Sequence, residues 1–350
     1  MVTLEGLQQA EDAAQVARKI INALAQPMQI AGHMLTTSCS LGIAIFPQDA
    51  EDSAALMKNA DTAMYHAKER GRRNFQFFSR EMNLRAVERQ SIETALRLAL
   101  DRDEFELVYQ PQIDIASGRM AGMEALIRWR HPERGLLSPA AFIDVAEDTG
   151  LVEPIGQWVL RAACMQCKAW IDAGLPAMRV SVNISARQFN QPREFTRSVK
   201  KVLAATGLDP GLLELEMTEG VLLHHAEENI QALRRMGKLG LRIAVDDFGT
   251  GYSSLSYLKQ LPIHSLKIDR SFVRDLEADN ESEIIVNTII AMGHSLKLRI
   301  TAEGVENLAQ LSALKRLGCD EYQGFLFSKP VKAPEFAARF LAPRQLNFGS

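Results

Sequence analysis

Glu124, Asn183, Glu216, Asp246, Asp247 and Glu303 are acidic or amide side chains, and apart from the adjacent aspartates each sits at or near the end of a separate short apolar run. An all-oxygen donor set of this kind, without histidine or cysteine, suits magnesium or manganese rather than zinc. A carboxylate that bridges beside a second one suits two metals about 3.5–4 Å apart, the arrangement that clamps attacking and leaving oxygens in phosphodiester hydrolysis. Asp246 and Asp247 would face opposite ways in a continuing strand, so both reach one site only if the strand stops there. Phe248-Gly249-Thr250-Gly251 is a breaker that permits such a stop. On its own the aspartate pair reads as a cap or turn, and its place among the other oxygen donors is what favours a metal site.

Such side chains need elements to bring them together. From residue 105 the chain repeats one theme, a β-rich run, a polar loop and a helical stretch. The expected strands are Phe105–Gln110, Met123–Arg130, Arg179–Ile184, Leu212–Met217, Leu241–Asp246, Ser265–Asp269, Leu298–Ala302 and Glu321–Phe325. Amphipathic helices lie between most of them, at Glu153–Ala173, Glu194–Thr206, Glu227–Leu239, Glu281–Leu296 and Leu308–Leu317, many stopped by a glycine. Eight strands alternating with helices predict an α/β fold, a closed parallel barrel of TIM type. Val180 to Ser185, Leu213 to Met217 and Leu266 to Asp269 alternate strictly between apolar and polar. If the apolar face meets the helices, Asn183, Glu214, Glu216, Lys267 and Asp269 point into the barrel, where unpaired charge is costly and metal ions would neutralise it.

The bulk composition narrows the partners. A formal charge of −3, with 40 basic and 43 acidic residues among 350, gives no global attraction to DNA, an RNA polymer or an anionic membrane. No apolar stretch approaches the roughly 18 residues of a membrane span. The N-terminus carries Glu5, Glu11 and Asp12 rather than a secretory pattern, so a cytoplasmic setting is expected, with an upstream sensor or membrane segment compatible with it. Cys164 and Cys167 form a C-x-x-C inside a helix-period segment with no second pair beside it, and are expected to be buried, reduced thiols.

Tyr109-Gln110-Pro111, Glu124-Ala-Leu-Ile-Arg128-Trp129, Ser181-Val-Asn183-Ile-Ser185, Glu216-Met-Thr-Glu219, Asp246 to Leu255, Leu266-Lys-Ile-Asp269, Ala302-Glu-Gly-Val-Glu306 and Gln323-Gly324 follow one another in order. Together, over about residues 85–342, they closely resemble the EAL family of cyclic-di-GMP phosphodiesterases. The resemblance implies that Glu124, Asn183, Glu216 and Asp246 bind one Mg2+ or Mn2+ while Asp246, Asp247 and Glu303 bind a second. Lys267 then orients the attacking water or steadies developing charge, and Glu219 braces the loop after Asp247. Gln110, Arg128, Asp269, Glu306 and Gln323 match positions that contact the dinucleotide, with Arg128 able to fork onto a phosphate. The implied activity is opening of cyclic-di-GMP to linear pGpG, and the alternative is a non-catalytic receptor for the same dinucleotide. A homodimer through the barrel face near Phe248–Leu255 and the following helix is also implied.

Residues 1–80 resemble the C-terminal part of a GGDEF domain, through Ser38 to Ala44, Pro47 and Ala60 to Arg72. That domain's naming motif is absent, so cyclase activity is not expected of this fragment, and the chain reads as a truncated GGDEF–EAL protein. A charged linker helix is expected over 81–102, and the barrel over 103–345.

Overall fold

The computed structural model describes residues 1–342 apart from 8, 31–32, 36, 224–225, 251–257 and 277–279. The chain divides into two compact units, Met1–Thr94 and Ala95–Ser350. The division falls inside the helix Arg80–Ala99.

In the first unit, helix Ser53–Glu69 is started by Asp52, whose side chain accepts from the Ala55 amide at 2.7 Å. It lies on a parallel pair of strands, Leu41–Ile43 and Phe75–Phe77. Gly42 allows that approach, because a β-carbon there would stand 1.9 Å from the Ala60 carbonyl oxygen. Met28–Ile30 pairs antiparallel with His33–Leu35, and residues 31–32 between them lie outside the described residues. The Leu41 amide is taken by the Asn74 carbonyl at 3.1 Å, which commits Leu41–Ile43 to Phe75–Phe77.

The second unit is a closed barrel. Its strands are β1 (Phe105–Asp114), β2 (Met120–His131), β3 (Arg179–Asn183), β4 (Leu213–Thr218), β5 (Arg242–Phe248), β6 (Ser265–Ile268), β7 (Arg299–Ala302) and β8 (Glu321–Tyr322). From β2 to β8 each strand runs parallel to the next. β1 departs from the parallel ring, running antiparallel to both β2 and β8 and closing the barrel between them. Only residues 115–119 separate β1 from β2, and a parallel pair needs a crossover of a dozen or more residues. Asp114 fixes the reversal by accepting from the Ser117 amide at 2.8 Å, and Gly118 supplies the positive φ of 66°.

Helices Val152–Asp172, Pro192–Thr206, Ala226–Lys238, Asn280–Ser295 and Leu308–Leu317 stand within a residue or two of their expected places. Among the described residues no helix is long and apolar enough to cross a membrane. Strand alternation then sorts the side chains. Leu213, Leu215 and Met217 are fully buried in the apolar layer outside β4, while the equally buried Glu214 and Glu216 point inward. The barrel lumen is consequently filled by polar groups in two layers. Its lower layer is an ionic lattice in which Arg179 meets Glu214 at 3.2 Å and Glu321 at 2.7 Å. Ser181 and Ser265 each donate to Glu214, at 3.0 and 2.9 Å. Arg179 and Arg242 hold the Glu214 carboxyl below its ordinary range against the opposing effect of burial.

Candidate active site

The upper layer carries the chemistry. Glu124 of β2, Glu216 of β4, Asp246 of β5 and Lys267 of β6 point into the same end of the lumen, and Glu303 follows β7 directly. Lys267 is 2% exposed. Its Nζ lies 2.5 Å from Glu303 Oε1, 2.7 Å from Glu216 Oε2, 3.2 Å from Asp246 Oδ1 and 3.6 Å from Glu124 Oε2. Asn183, at the end of β3, donates from Nδ2 to Glu124 Oε1 at 2.6 Å. Asp246, Asp247 and Glu303 offer carboxylate oxygens all within 4.8 Å of one another.

Asp247 reaches this cluster by a different device from the expected strand stop. β5 continues to Phe248, and its pairing with β6 shifts register between Val245 and Phe248. Asp247 adopts φ 51°, in the left-handed region that aspartate tolerates better than most residues. A bulge thus inserts one extra residue and turns two successive carboxylates toward one site.

Five carboxylates around one ammonium leave a surplus of negative charge, and the titration behaviour reflects it. Burial pushes the Glu303 carboxyl up to about 8, with Lys267 opposing and Asp246 and Glu124 reinforcing the rise. Burial likewise raises Asp247 to about 6, helped by Asp246 and Asp269. Glu216 is raised well above the ordinary glutamate range, first by burial and against the pull of Lys267. Burial works against the Lys267 ammonium, but the surrounding carboxylates overcome it and hold the lysine charged.

Divalent cations fit this donor set. Glu216 Oε1 is buried, and among the described residues it accepts no hydrogen bond, Lys267 meeting the other oxygen of that carboxylate. Unpartnered buried carboxylate oxygens are expensive unless a cation completes them. Asp246, Asp247 and Glu303 form one cluster of carboxylates, and Glu124 with Asn183 a hydrogen-bonded pair, with Lys267 within 4 Å of Asp246, Glu303 and Glu124.

The remaining expected residues fall around this centre. Arg128 is half-buried and donates to the Ile127 carbonyl at 2.8 Å; burial lowers its pKa while the Glu124 charge opposes the shift. Asp269 lies just past β6 and caps helix Arg270–Arg274 through the Ser271 amide at 2.9 Å, with its carboxyl hydrogen-bonded to that of Asp247. Glu306 is exposed on the loop after Glu303; the cap of helix Leu308–Leu317 is Asn307. Gln323 lies inside, its Nε2 donating to Glu124 Oε2 at 2.5 Å and to Gln110 Oε1 at 3.0 Å. Gln110 in turn donates to the Ser328 carbonyl at 3.0 Å.

Glu219 opens helix Glu219–Leu223 and is 6% exposed, with neither carboxylate oxygen hydrogen-bonded among the described residues. The loop it is expected to brace includes residues 251–257, which lie outside the described residues. Cys164 and Cys167 are buried and free, and burial pushes their thiols up to about 12 and about 11. Sequence reasoning missed Gln112, although its position two residues after Gln110 on a strand places it on the same inward face.

A closed barrel that gathers oxygen donors at the ends of its parallel strands stands with the α/β barrels whose active sites occupy that face. The chain belongs to the EAL-domain family: the EAL domain model matches residues 93–330. The diguanylate cyclase GGDEF domain model matches residues 1–74. MucR of Pseudomonas aeruginosa, a bifunctional diguanylate cyclase/cyclic di-GMP phosphodiesterase, is 44% identical over 327 residues, covering 93% of this chain and 48% of MucR. The cyclic di-GMP phosphodiesterase PdeR of Escherichia coli is 42% identical over 321 residues, covering 92% of this chain and 48% of PdeR. The chain thus spans about half the length of these curated relatives. The solved PaMucR phosphodiesterase in its c-di-GMP complex is similar over 70% of this chain and 99% of that one, with 44% identity and a TM-score of 0.68.

Proposed function

We propose that this chain hydrolyses cyclic-di-GMP to linear pGpG in a divalent-metal-dependent reaction. The observation that carries the reading is Lys267 buried among the carboxylates of Glu124, Glu216, Asp246 and Glu303 at the barrel mouth. Support comes from the family and from relatives named as cyclic di-GMP phosphodiesterases. In this reading Glu124, Asn183, Glu216 and Asp246 hold one Mg2+ or Mn2+, and Asp246, Asp247 and Glu303 hold a second. Bound there, the ions polarise the phosphoryl oxygens and make water acidic enough to act as nucleophile near neutral pH.

The chain's own residues do the rest. Arg128 forks onto a phosphate and sets the diester in line, while Asp269 and Glu306 line the rim against the rest of the dinucleotide. Water oxygen adds to phosphorus and the bond to a ribose 3′-oxygen breaks, so that the phosphate stays on the 5′ side and the leaving oxygen takes up a proton. Lys267 faces the charge that develops on the phosphoryl oxygens. A homodimer through the face near Phe248–Leu255 and the following helix belongs to the same reading.

Incubation with cyclic-di-GMP and Mg2+ or Mn2+, followed by chromatography, is expected to give pGpG, and a chelator is expected to stop its formation. Tight dinucleotide binding with no pGpG in either ion would reverse the reading in favour of a receptor.

A further inference from the structure

Gln112 links the two polar layers of the lumen. It is 1% exposed. Arg179 Nη2 donates to Gln112 Oε1 at 2.9 Å, Gln112 Nε2 donates to Gln323 Oε1 at 3.2 Å, and Gln323 Nε2 donates to Glu124 Oε2 at 2.5 Å. An unbroken line of hydrogen bonds therefore runs from the ionic floor to a carboxylate of the mouth. Its direction is forced. A guanidinium can only donate, whereas a carboxamide has one accepting and one donating end. Arg179 is pinned by Glu214 and Glu321, so the Gln112 carbonyl must face it and the Gln112 amino group must face Gln323. Gln323 must then show its carbonyl to Gln112 and its amino group to Glu124.

The barrel is shaped to admit this line. Gln112 is paired across the β1–β2 ladder with Gly122, and a β-carbon on Gly122 would lie 3.0 Å from both Arg179 Nε and Gln112 Oε1. A glycine at that position leaves open the space in which the two side chains meet.

We propose that Gln112 is a positioning residue: with Arg179 behind it, and alongside Gln110, whose Oε1 accepts from the same Gln323 Nε2 at 3.0 Å, it holds the Gln323 carboxamide in the sense that sets the Glu124 carboxylate, before any metal arrives. Asn183 holds the other oxygen of Glu124, so the carboxylate is secured at both ends. The inference rests on the reading above only in taking Glu124 as a metal ligand; it does not depend on the identity of the substrate.

The test is the Mn2+ affinity of the purified chain, measured by calorimetry on Gln112→Glu, Gln112→Met, Gln323→Met and the double methionine variant. Gln112→Glu keeps the shape but offers oxygen to Gln323. Gln323 then either turns its amino group to the new oxygen, away from Glu124 and Gln110, or keeps its sense with its carbonyl facing that oxygen, and acceptor is set against acceptor in both arrangements. Outer partners of metal ligands typically govern affinity by about 10- to 100-fold, and a loss in that range is expected for Gln112→Glu, with a smaller one for Gln112→Met. Because Gln112 acts through Gln323, Gln112→Met should change affinity little further once Gln323 is already methionine. A merely structural glutamine would give no such non-additivity and no penalty specific to the glutamate.

Mn2+ affinity in Gln112→Glu within about twofold of the unaltered chain, or full additivity in the double variant, overturns the inference. So does an unaltered chain that takes up no Mn2+. If Gln112→Glu fails to fold, the methionine cycle decides alone. Failure of the phosphodiesterase reading shows separately, as an unaltered chain that binds Mn2+ yet releases no pGpG.

Discussion

Asp246→Asn is expected to reduce pGpG formation by about a thousandfold or more while the protein remains folded. Asp246 belongs to both proposed metal positions, so losing its charge weakens the charge stabilisation of both, a term worth several kcal/mol, and each 1.4 kcal/mol is about tenfold in rate. Asparagine keeps the volume of the side chain and removes one negative charge from a cluster that holds a surplus of them. Thermal unfolding in chelator should therefore occur at the temperature of the unaltered chain or above it. A residual rate within tenfold of the unaltered chain, by chromatography of products, would show that Asp246 is not shared between ions.

Lys267→Met separates the two tasks that the site assigns to one ammonium. Lys267 Nζ alone stands within 4 Å of all four carboxylates, Glu124, Glu216, Asp246 and Glu303, among the described residues. Removing one partner from a buried charge network costs about 3–5 kcal/mol, so the metal-free variant should unfold at markedly lower urea. Divalent ions should restore much of that loss, because the more negative cluster retains every proposed ligand. Turnover should nevertheless fall by about a hundredfold or more with Mn2+ saturating, since a fixed charge facing the phosphoryl oxygens is gone. The pairing of undiminished Mn2+ affinity with lost turnover is the signature. A parallel fall of both would mean that the lysine only holds the carboxylates in place.

Most of the barrel could be read before its coordinates. Strict alternation in Leu213 to Met217 and Leu266 to Asp269 announced which side chains enter the lumen, and Glu214, Glu216 and Lys267 do enter it. The helix ends were legible because glycines such as Gly207 and Gly318 stop them in the left-handed region, at φ 70° and 79°. Two features escaped. The antiparallel β1 depends on the length of one loop, which a strand-by-strand reading passes over. The bulge at Asp247 escaped because alternation, the rule that located Glu214, Glu216 and Lys267, is what a bulge violates. Gln112 carried its signal openly in its spacing from Gln110, but an amide in an apolar-polar run resembles ordinary strand polarity until Arg179 is seen beside it.

The extra residue in β5 has a consequence for how such a domain changes occupation. Val245 pairs with Leu266 before the bulge and Phe248 with Ile268 after it, so excising Asp247 alone would leave both flanking pairings intact and make the ladder regular. The shortened chain is expected to resist urea at least as well as its parent, to keep the rim that would cradle a dinucleotide, and to release no pGpG. A loss of folding on excision would contradict this. A working hydrolase and a silent sensor of the same messenger would then be separated by a single codon, with no barrier of instability between them.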